Sequence, residues 1–345
     1  MQRTRTAGWS ISPRAAAIQR SALVWDNVFP INLPGDVAMG NSWDELERFY
    51  AAGVDVLSIT LAGDNHNLSQ AFTLCSWARR QLREREDRLV LVRRAADIET
   101  ARSTGRLGII LHFEGTRCFE RDLSAIELFY DLGIRQTLLA FNKQNSAGGG
   151  CADASDSGLS AYGRGLVKEM QRVGMLLDLS HTGHRTSLDA IEIASRPVLF
   201  SHSNAFALCP SFRNIKDDQI RACAQTGGVV GVSGSSEYLG DLTCSNETLL
   251  RHIDYMAEVG GIDHVGLGLD VVFEPAALSA WARGRPDEWP MTQDPGWTGF
   301  RYAAPEQLPS LTELMLQRGY TEEQVRKVLG ENLLRVCRAA WREAG

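Results

Sequence analysis

Eight short apolar runs punctuate the chain, with a helix-length segment between most neighbours. They are ALVWD (22–26), VDVLSIT (54–60), GIILHFEG (108–115), RQTLLAFN (135–142), MLLDLSH (175–181), PVLFSH (197–202), GVVGVSG (228–234) and HVGLGLD (264–270). Short apolar runs bounded by turn residues read as strands. The segments between them, including DLSAIELFYDLG, GLSAYGRGLVKEMQRVG, DDQIRACAQTG and NETLLRHIDYMAEVG, show helical patterns, and most close on a glycine suited to a left-handed cap. Eight strands alternating with helices predict an α/β fold, a (β/α)8 TIM-type barrel with parallel strands and C-terminal helices. A long loop at 271–306 follows the last strand, and the closing TEEQVRKVLGENLLRVCRAAW opens with a Thr-x-x-Gln capping box. With no repeat and no linker, the expected organisation is an N-terminal extension (1–20) and one barrel domain (21–345).

The polar residues at the strand ends interrupt this apolar pattern. LLDLSH and PVLFSH bracket one helix, so His181 and His202 share the carboxyl edge of a parallel sheet, where barrel enzymes gather their reactive groups. Asp26, His112, Glu114, Asn142, Asp178 and Asp270 complete the set. Charged groups at interior strand ends carry a desolvation cost unless they are paired or bind an ion. A single histidine so placed is usually a hydrogen-bonded core residue, but two on neighbouring strands with Glu114 on a third match a divalent metal site with open positions for water. Asp270 ends GLGLD, where small residues admit a ligand, and is assigned a catalytic role. Asp178 is expected to point to the other face and pair with a helix. His66, His184, His252 and His264 read as surface or capping residues.

Composition narrows the partners. The 345 residues are 44% hydrophobic and 23% charged, enough for one barrel with decorations. A net charge of −6 and a pI near 5.7 exclude nucleic acid as a general partner. The charge run RRQLREREDR (79–88) mixes signs and reads as a solvated helix face. Seven cysteines without a Cys-x-x-Cys pair fit reduced thiols and a cytoplasmic location, and residues 1–24 lack the continuous apolar core of a signal peptide or membrane span.

With these strand ends assembled, the chain resembles the membrane dipeptidase (renal dipeptidase) family, peptidase family M19, among the amidohydrolase-like metal-dependent barrels. The likeness runs from about residue 20 to the end. It is carried by GLSAYGRGLVKEMQRVGMLLDLSHTG, PVLFSHSNAFALCPSFRNIKDDQIR, HVGLGLD and LPSLTELMLQRGYTEEQVRKVLGENLLRV. The resemblance implies that Glu114 and the pair His181 and His202 ligate zinc, that Asp270 handles the proton, that Arg213 in SFRN binds a substrate carboxylate, and that homodimers form. It also marks two departures. Where the family has Asp-Gly-His-x-Asp, supplying the ligands of a second ion, this chain reads Asp26-Asn27-Val28-Phe29-Pro30. Where a Thr-His-Asn-like motif contacts the reacting carbonyl, it reads Ala140-Phe141-Asn142, which leaves Phe141 and Asn142 as substrate-facing candidates.

The expected protein is thus a dipeptidase-like hydrolase with one zinc, or another divalent ion, acting on an amide in a small substrate with a free carboxylate. His112, two residues before Glu114 and on the same strand face, is a candidate compensating ligand or oxyanion contact, with packing against Phe141 as its structural alternative. The competing functional readings are a catalytically silent relative that binds an amino-acid-like metabolite, and lyase or lactonase chemistry on the same scaffold. The small-residue segment SAGGGCADASDSG (146–158) is expected to act as a lid. Trp281, Trp289 and Trp297 are expected to anchor the 271–306 loop to the rim.

Overall fold

The computed structural model describes residues 9–34 and 41–342. Nine parallel strands form its sheet: β1 (Trp25–Pro30), β2 (Val56–Gly63), β3 (Leu89–Leu91), β4 (Leu107–Glu114), β5 (Ile134–Leu138), β6 (Leu176–Asp178), β7 (Leu199–Phe200), β8 (Val229–Val232) and β9 (Val265–Leu267). Eight of them run in the order β1-β2-β4-β5-β6-β7-β8-β9, a nearly closed barrel with helices outside. Every expected strand is present. The additional β3 pairs with Leu107–Ile109 of β4, while β5 pairs with Leu111–Phe113 farther along the same strand. β3 is three residues long and bracketed by arginines, so its apolar signal falls below that of a normal strand.

Side chains span the seam between β1 and β9. The Leu269 N–H donates to Asp26 Oδ1 at 2.8 Å, and Asn41 Nδ2 donates to the Val271 carbonyl at 2.7 Å. These bonds hold the turn after β9 against β1 without a ladder of main-chain bonds.

The helices form where the pattern places them. The helix Ala161–Val173 starts at Ser160, whose side chain accepts from the Gly163 N–H, and ends at Gly174 with φ 85°. A cap of this kind contributes about 1 kcal/mol. Its Leu166, Val167 and Met170 are buried against the barrel. The Thr321–Gln324 capping box forms in both directions, at 2.8 and 3.2 Å. The segment it opens is not one continuous helix: Glu322–Arg326 passes through a wider turn at Lys327–Glu331 before Asn332–Ala340 resumes. At Gly330 the backbone approaches the segment leading into β1 so closely that a Cβ would lie 2.6 Å from the Leu23 carbonyl oxygen.

Two segments are more ordered than expected. The helix Pro13–Ser21 overlaps the anticipated N-terminal extension (1–20) and buries Ala15, Ile18 and Gln19, with Gln19 bonded to Ala52 and Thr312; residues 1–8 lie outside the described part. The long 271–306 loop contains the helix Ala276–Arg283 and a turn of 3-10 helix at Pro290–Gln293. Trp289, Trp297 and Phe300 form a small apolar cluster of their own beneath that segment. No helix among the described residues is long and apolar enough to cross a membrane.

Candidate metal centre and substrate cavity

Four ionisable side chains converge at the carboxyl ends of β4, β6, β7 and β9. Donor atoms of Glu114, His202 and Asp270 all lie within 4.8 Å of one another. His181 joins them through its Nε2, 2.9 Å from His202 Nε2. His202 Nε2 is 4.0 Å from Glu114 Oε1. Two imidazoles and two carboxylates are a donor set suited to zinc and similar divalent ions, so the residues fit the single ion that the sequence suggests.

The backbone delivers these groups in an unusual conformation. Asn142, His181 and Asp270 have φ of 55°, 62° and 58°. Residues other than glycine occupy this left-handed region at a cost of about 1 kcal/mol or more, and such positions gather at functional sites. Each lies just past the end of its strand, where the chain turns its side chain into the barrel mouth.

A second layer of hydrogen bonds orients the imidazoles. His181 Nδ1 lies 2.7 Å from Asn142 Oδ1, and because an amide oxygen only accepts, His181 carries its proton on Nδ1 and presents a bare Nε2. His202 Nδ1 lies 2.6 Å from Ser201 Oγ, which donates onward to Ser180 Oγ at 3.3 Å; donation from Nδ1 completes that chain and again frees Nε2. Phe141 stacks on the His181 ring at 4.2 Å and 21°. Asp178 is fully buried and accepts from the Ser180 and Ser201 N–H groups, both at 3.0 Å, and from Gln136 Nε2 at 2.8 Å. It therefore ties β5, β6 and β7 together instead of pairing with a helix: the chain bends after residue 178 and folds the carboxylate back onto the neighbouring strand ends.

Burial dominates the electrostatics. It pushes the Glu114 carboxyl up, with the charges of Asp270 and Asp178 adding to the rise and Arg213 opposing it. It pushes Asp270 up in the same way, again opposed by Arg213. Burial holds His181 and His202 well below the usual imidazole range, with Arg213 reinforcing the shift, so both imidazoles are neutral.

The other expected site residues take different positions. Arg213 is buried; Nη1 donates to Ser203 Oγ at 3.1 Å and Nη2 to the His202 carbonyl at 2.8 Å, and the guanidinium lies 5.4 Å from the Tyr238 ring. Tyr238, not Arg213, lines the cavity. Asn142 is spent on His181 and, through Nδ2, on the Glu288 carbonyl. His112 Nε2 lies 3.0 Å from Thr60 Oγ1, which donates to Glu114 Oε1 at 3.3 Å, so it reaches the cluster through Thr60. Burial lowers His112 to about 3.

A cavity of about 650 Å³ opens over the cluster. Glu114, His181 and Asp270 form part of its floor, and Pro30, Ile31 and Val272 an apolar side. Phe141, Trp281 and Trp289 give it an aromatic side, which makes the tryptophans wall as well as anchor. Trp297 instead packs on Phe300 at 5.3 Å.

Several contributors carried no clear sequence signal. Asp64, just after β2, accepts from the Arg117 and Phe141 N–H groups at 3.0 Å and from Asn145 at 2.9 Å, binding three loops of the mouth. His66 is buried and lines the cavity, with the Gly63 N–H donating to its Nδ1 at 3.1 Å. His252 is buried inside the structure, accepting from the Ala205 N–H, rather than on the surface. Tyr238, in the short helix Ser236–Leu239, and Tyr302, in a loop, also line the cavity.

The 146–158 segment is fastened instead of free. Cys151 N–H donates to the His181 carbonyl and Ala152 N–H to that of Asn142, both at 2.8 Å. Asp156 holds the Thr186 N–H at 2.9 Å. At Gly150 a Cβ would lie 2.2 Å from the Asn142 carbonyl carbon, so its glycine serves close packing against the site.

Comparison with known proteins gives a consistent result. Residues 64–278 match the family described as membrane dipeptidase (peptidase family M19). An uncharacterised protein in the pqqA 5′ region of Klebsiella pneumoniae is 33% identical over 267 residues, covering 74% of this chain and 90% of that protein. Dipeptidase tcpJ of Claviceps purpurea is 31% identical over 261 residues, covering 73% of this chain and 55% of that longer protein. Among solved structures, an amidohydrolase from Pseudomonas aeruginosa superposes with a TM-score of 0.85 at 28% identity, over 95% of this chain and 99% of that one. A Rhodobacter sphaeroides metallopeptidase bound to a phosphinate mimic of L-Ala-D-Ala shares the fold, with a TM-score of 0.74 at 24% identity over 93% of this chain and 99% of that one.

Proposed function

The chain belongs to the membrane dipeptidase family, peptidase family M19, and is a metal-dependent dipeptidase-like hydrolase; on that premise we propose that it cleaves the amide of a small, carboxylate-bearing substrate at a site holding one zinc ion. The observation that carries this reading is the convergence of the Glu114, His202 and Asp270 donor atoms within 4.8 Å, with His181 Nε2 2.9 Å from His202, under an open cavity. Glu114, His181 and His202 are the residues assigned to the ion. When bound, zinc supplies Lewis acidity, polarising a scissile carbonyl and easing the loss of a proton from water.

The remaining work falls to side chains. Asp270, at the same cluster and on the cavity floor, takes the proton released in the attack and returns it to the leaving amine. Asn142 and Ser201 keep the two imidazoles in the tautomer that faces the ion. Arg213, buried behind Tyr238, contributes positive potential that favours the ionised forms of Glu114 and Asp270. The aromatic wall shields the amide from bulk water, which strengthens each of these charge effects.

The seven free cysteines and the acidic surface charge are consistent with the cytoplasmic assignment, and a homodimer is the assembly we assign. The competing reading is a silent relative that binds its ligand without turnover, favoured by Val28, Pro30 and Phe141 at positions where the resemblance calls for polar groups. The test is a dipeptide screen with the zinc-loaded protein. Hydrolysis that disappears in Asp270→Asn, with fold and zinc intact, supports the hydrolase; binding without turnover across the screen selects the silent relative.

A further inference from the structure

The three residues assigned to the ion each meet a hydrogen-bonding partner of their own. His181 has Asn142, and His202 has Ser201. Among the described residues the Glu114 carboxylate has Thr60, whose Oγ1 donates to Oε1 at 3.3 Å, and Oε1 is the oxygen 4.0 Å from His202 Nε2. Behind Thr60 stands His112, fully buried, with its Nε2 3.0 Å from the same Oγ1. No step of the proposed hydrolysis uses this imidazole.

Strand pairing puts the three side chains on one face. Thr60 of β2 is the register partner of His112 on β4, and Glu114 lies two residues on, the same-face spacing of a strand. Beyond that pair β2 carries one extra residue, Leu61, so that Ala62 pairs with Phe113 and Gly63 with Glu114. Such a bulge re-aims a side chain next to a site, and here Thr60 reaches both His112 and Glu114. The proton count then fixes the direction of the bonds. A threonine hydroxyl has one proton, and giving it to the carboxylate leaves Oγ1 to accept from His112 Nε2–H. That tautomer leaves Nδ1 bare, and Nδ1 is the His112 nitrogen buried without a hydrogen-bond partner among the described residues. A bare buried acceptor is tolerated more readily than an orphaned buried N–H, so the count and the burial agree.

We propose that His112 and Thr60 form a positioning relay, His112 Nε2–H to Thr60 Oγ1 and Thr60 O–H to Glu114 Oε1, that holds the carboxylate turned toward His202. The relay rests on the reading of Glu114 as a ligand only for its effect on zinc. His112 is thus neither a compensating ligand nor an oxyanion contact; it acts through Thr60. Partners of this kind behind ligating side chains contribute about 10–100-fold in metal affinity. Because the two residues act as a unit, removing both costs no more than removing Thr60 alone.

The first readout needs no metal and no folded variant of Thr60. In the zinc-free wild type with isotope-labelled histidine, nitrogen NMR should find the His112 ring, identified by the signal lost in His112→Gln, carrying its proton on Nε2. A proton on Nδ1 overturns the relay. The second readout is zinc affinity, measured by competition with a chromogenic chelator. Thr60→Val should weaken zinc binding about 10-fold or more and Thr60→Ser should stay within about 3-fold of the wild type, while His112→Leu weakens it and His112→Gln recovers part of that loss. Thr60→Val combined with His112→Leu should bind zinc as Thr60→Val does. A loss below about 3-fold in Thr60→Val, an equal loss in Thr60→Ser, or losses that add in the double variant, overturns the proposal. If the wild type binds no zinc, the ligand reading of Glu114 fails, and the NMR result alone decides the relay: Nε2–H supports it and Nδ1–H overturns it.

Discussion

One half of the barrel mouth, at the ends of β4, β6, β7 and β9, carries Glu114, His181, His202 and Asp270; the other, at the end of β1, carries Val28, Phe29, Pro30 and Ile31. Both halves are built from buried or half-buried residues at or just past the ends of parallel strands, and Phe29, Val28 and His202 are equally shielded from solvent. The difference lies in what burial does. On the apolar side it stabilises the fold by about 1.5–3 kcal/mol for each large side chain covered. On the polar side it works against two carboxylates and holds two imidazoles neutral. A fold retains such a cluster where a bound cation offsets the desolvation. The contrast supports our proposal of one ion at the polar half, with the apolar side facing the substrate.

The largest way to break that contrast is to disable the polar half. Asp270→Asn should lower kcat for dipeptide hydrolysis by about 10²–10⁴-fold, measured with zinc content on the same sample. Loss of zinc together with rate would sharpen the role of Asp270 toward ligation. Next comes competition by protons. Because burial raises Glu114 and Asp270, each holds its proton to higher pH than usual, and an ion must displace those protons to bind. Zinc affinity should therefore rise at least about 10-fold from pH 6 to pH 8, measured against a chromogenic chelator; a flat profile would contradict the electrostatics described here.

Smaller effects probe the boundary between the halves. Phe141→Ala removes the ring that joins His181 to Trp289, and should cost about 1–3 kcal/mol of stability in a denaturant titration. Asp26 sits at the seam, where burial raises it to about 7 from 3.8. Between those two values the unfolded chain has released the proton while the folded chain keeps it, so this group makes stability fall as pH rises from about 4 to 7 and level off above. Asp26→Asn keeps an acceptor for the Leu269 N–H and should flatten that decline, gaining about 1–2 kcal/mol at pH 8 for the metal-free protein. An unchanged pH profile would place the decline elsewhere.

The barrel and its polar half were legible because both write short-range signals. A strand of apolar residues that ends in histidine or glutamate states its own position, and two such strands around one helix state that the ends are neighbours. β3 was missed because four apolar residues between Arg88 and Arg93 give no comparable contrast. The 271–306 loop hid a helix because its ordering comes from tryptophan packing, not from periodicity. Asp178 and Arg213 show a different limit. Sequence turned Asp178 away toward a helix and put Arg213 at the substrate, but the partners each side chain finds, such as Ser201 and Ser203, are named by no spacing rule. Asp64, from a loop, and Tyr238, from a short helix, reach the site by an approach that only the tertiary structure brings about.

The central claim, one ion on one side of the mouth, is tested most directly by metal content per chain after zinc loading and dialysis, for the wild type beside Glu114→Ala. The account predicts about one zinc in the wild type and little in the variant. Two ions per chain in the wild type, or one retained undiminished without Glu114, would contradict it.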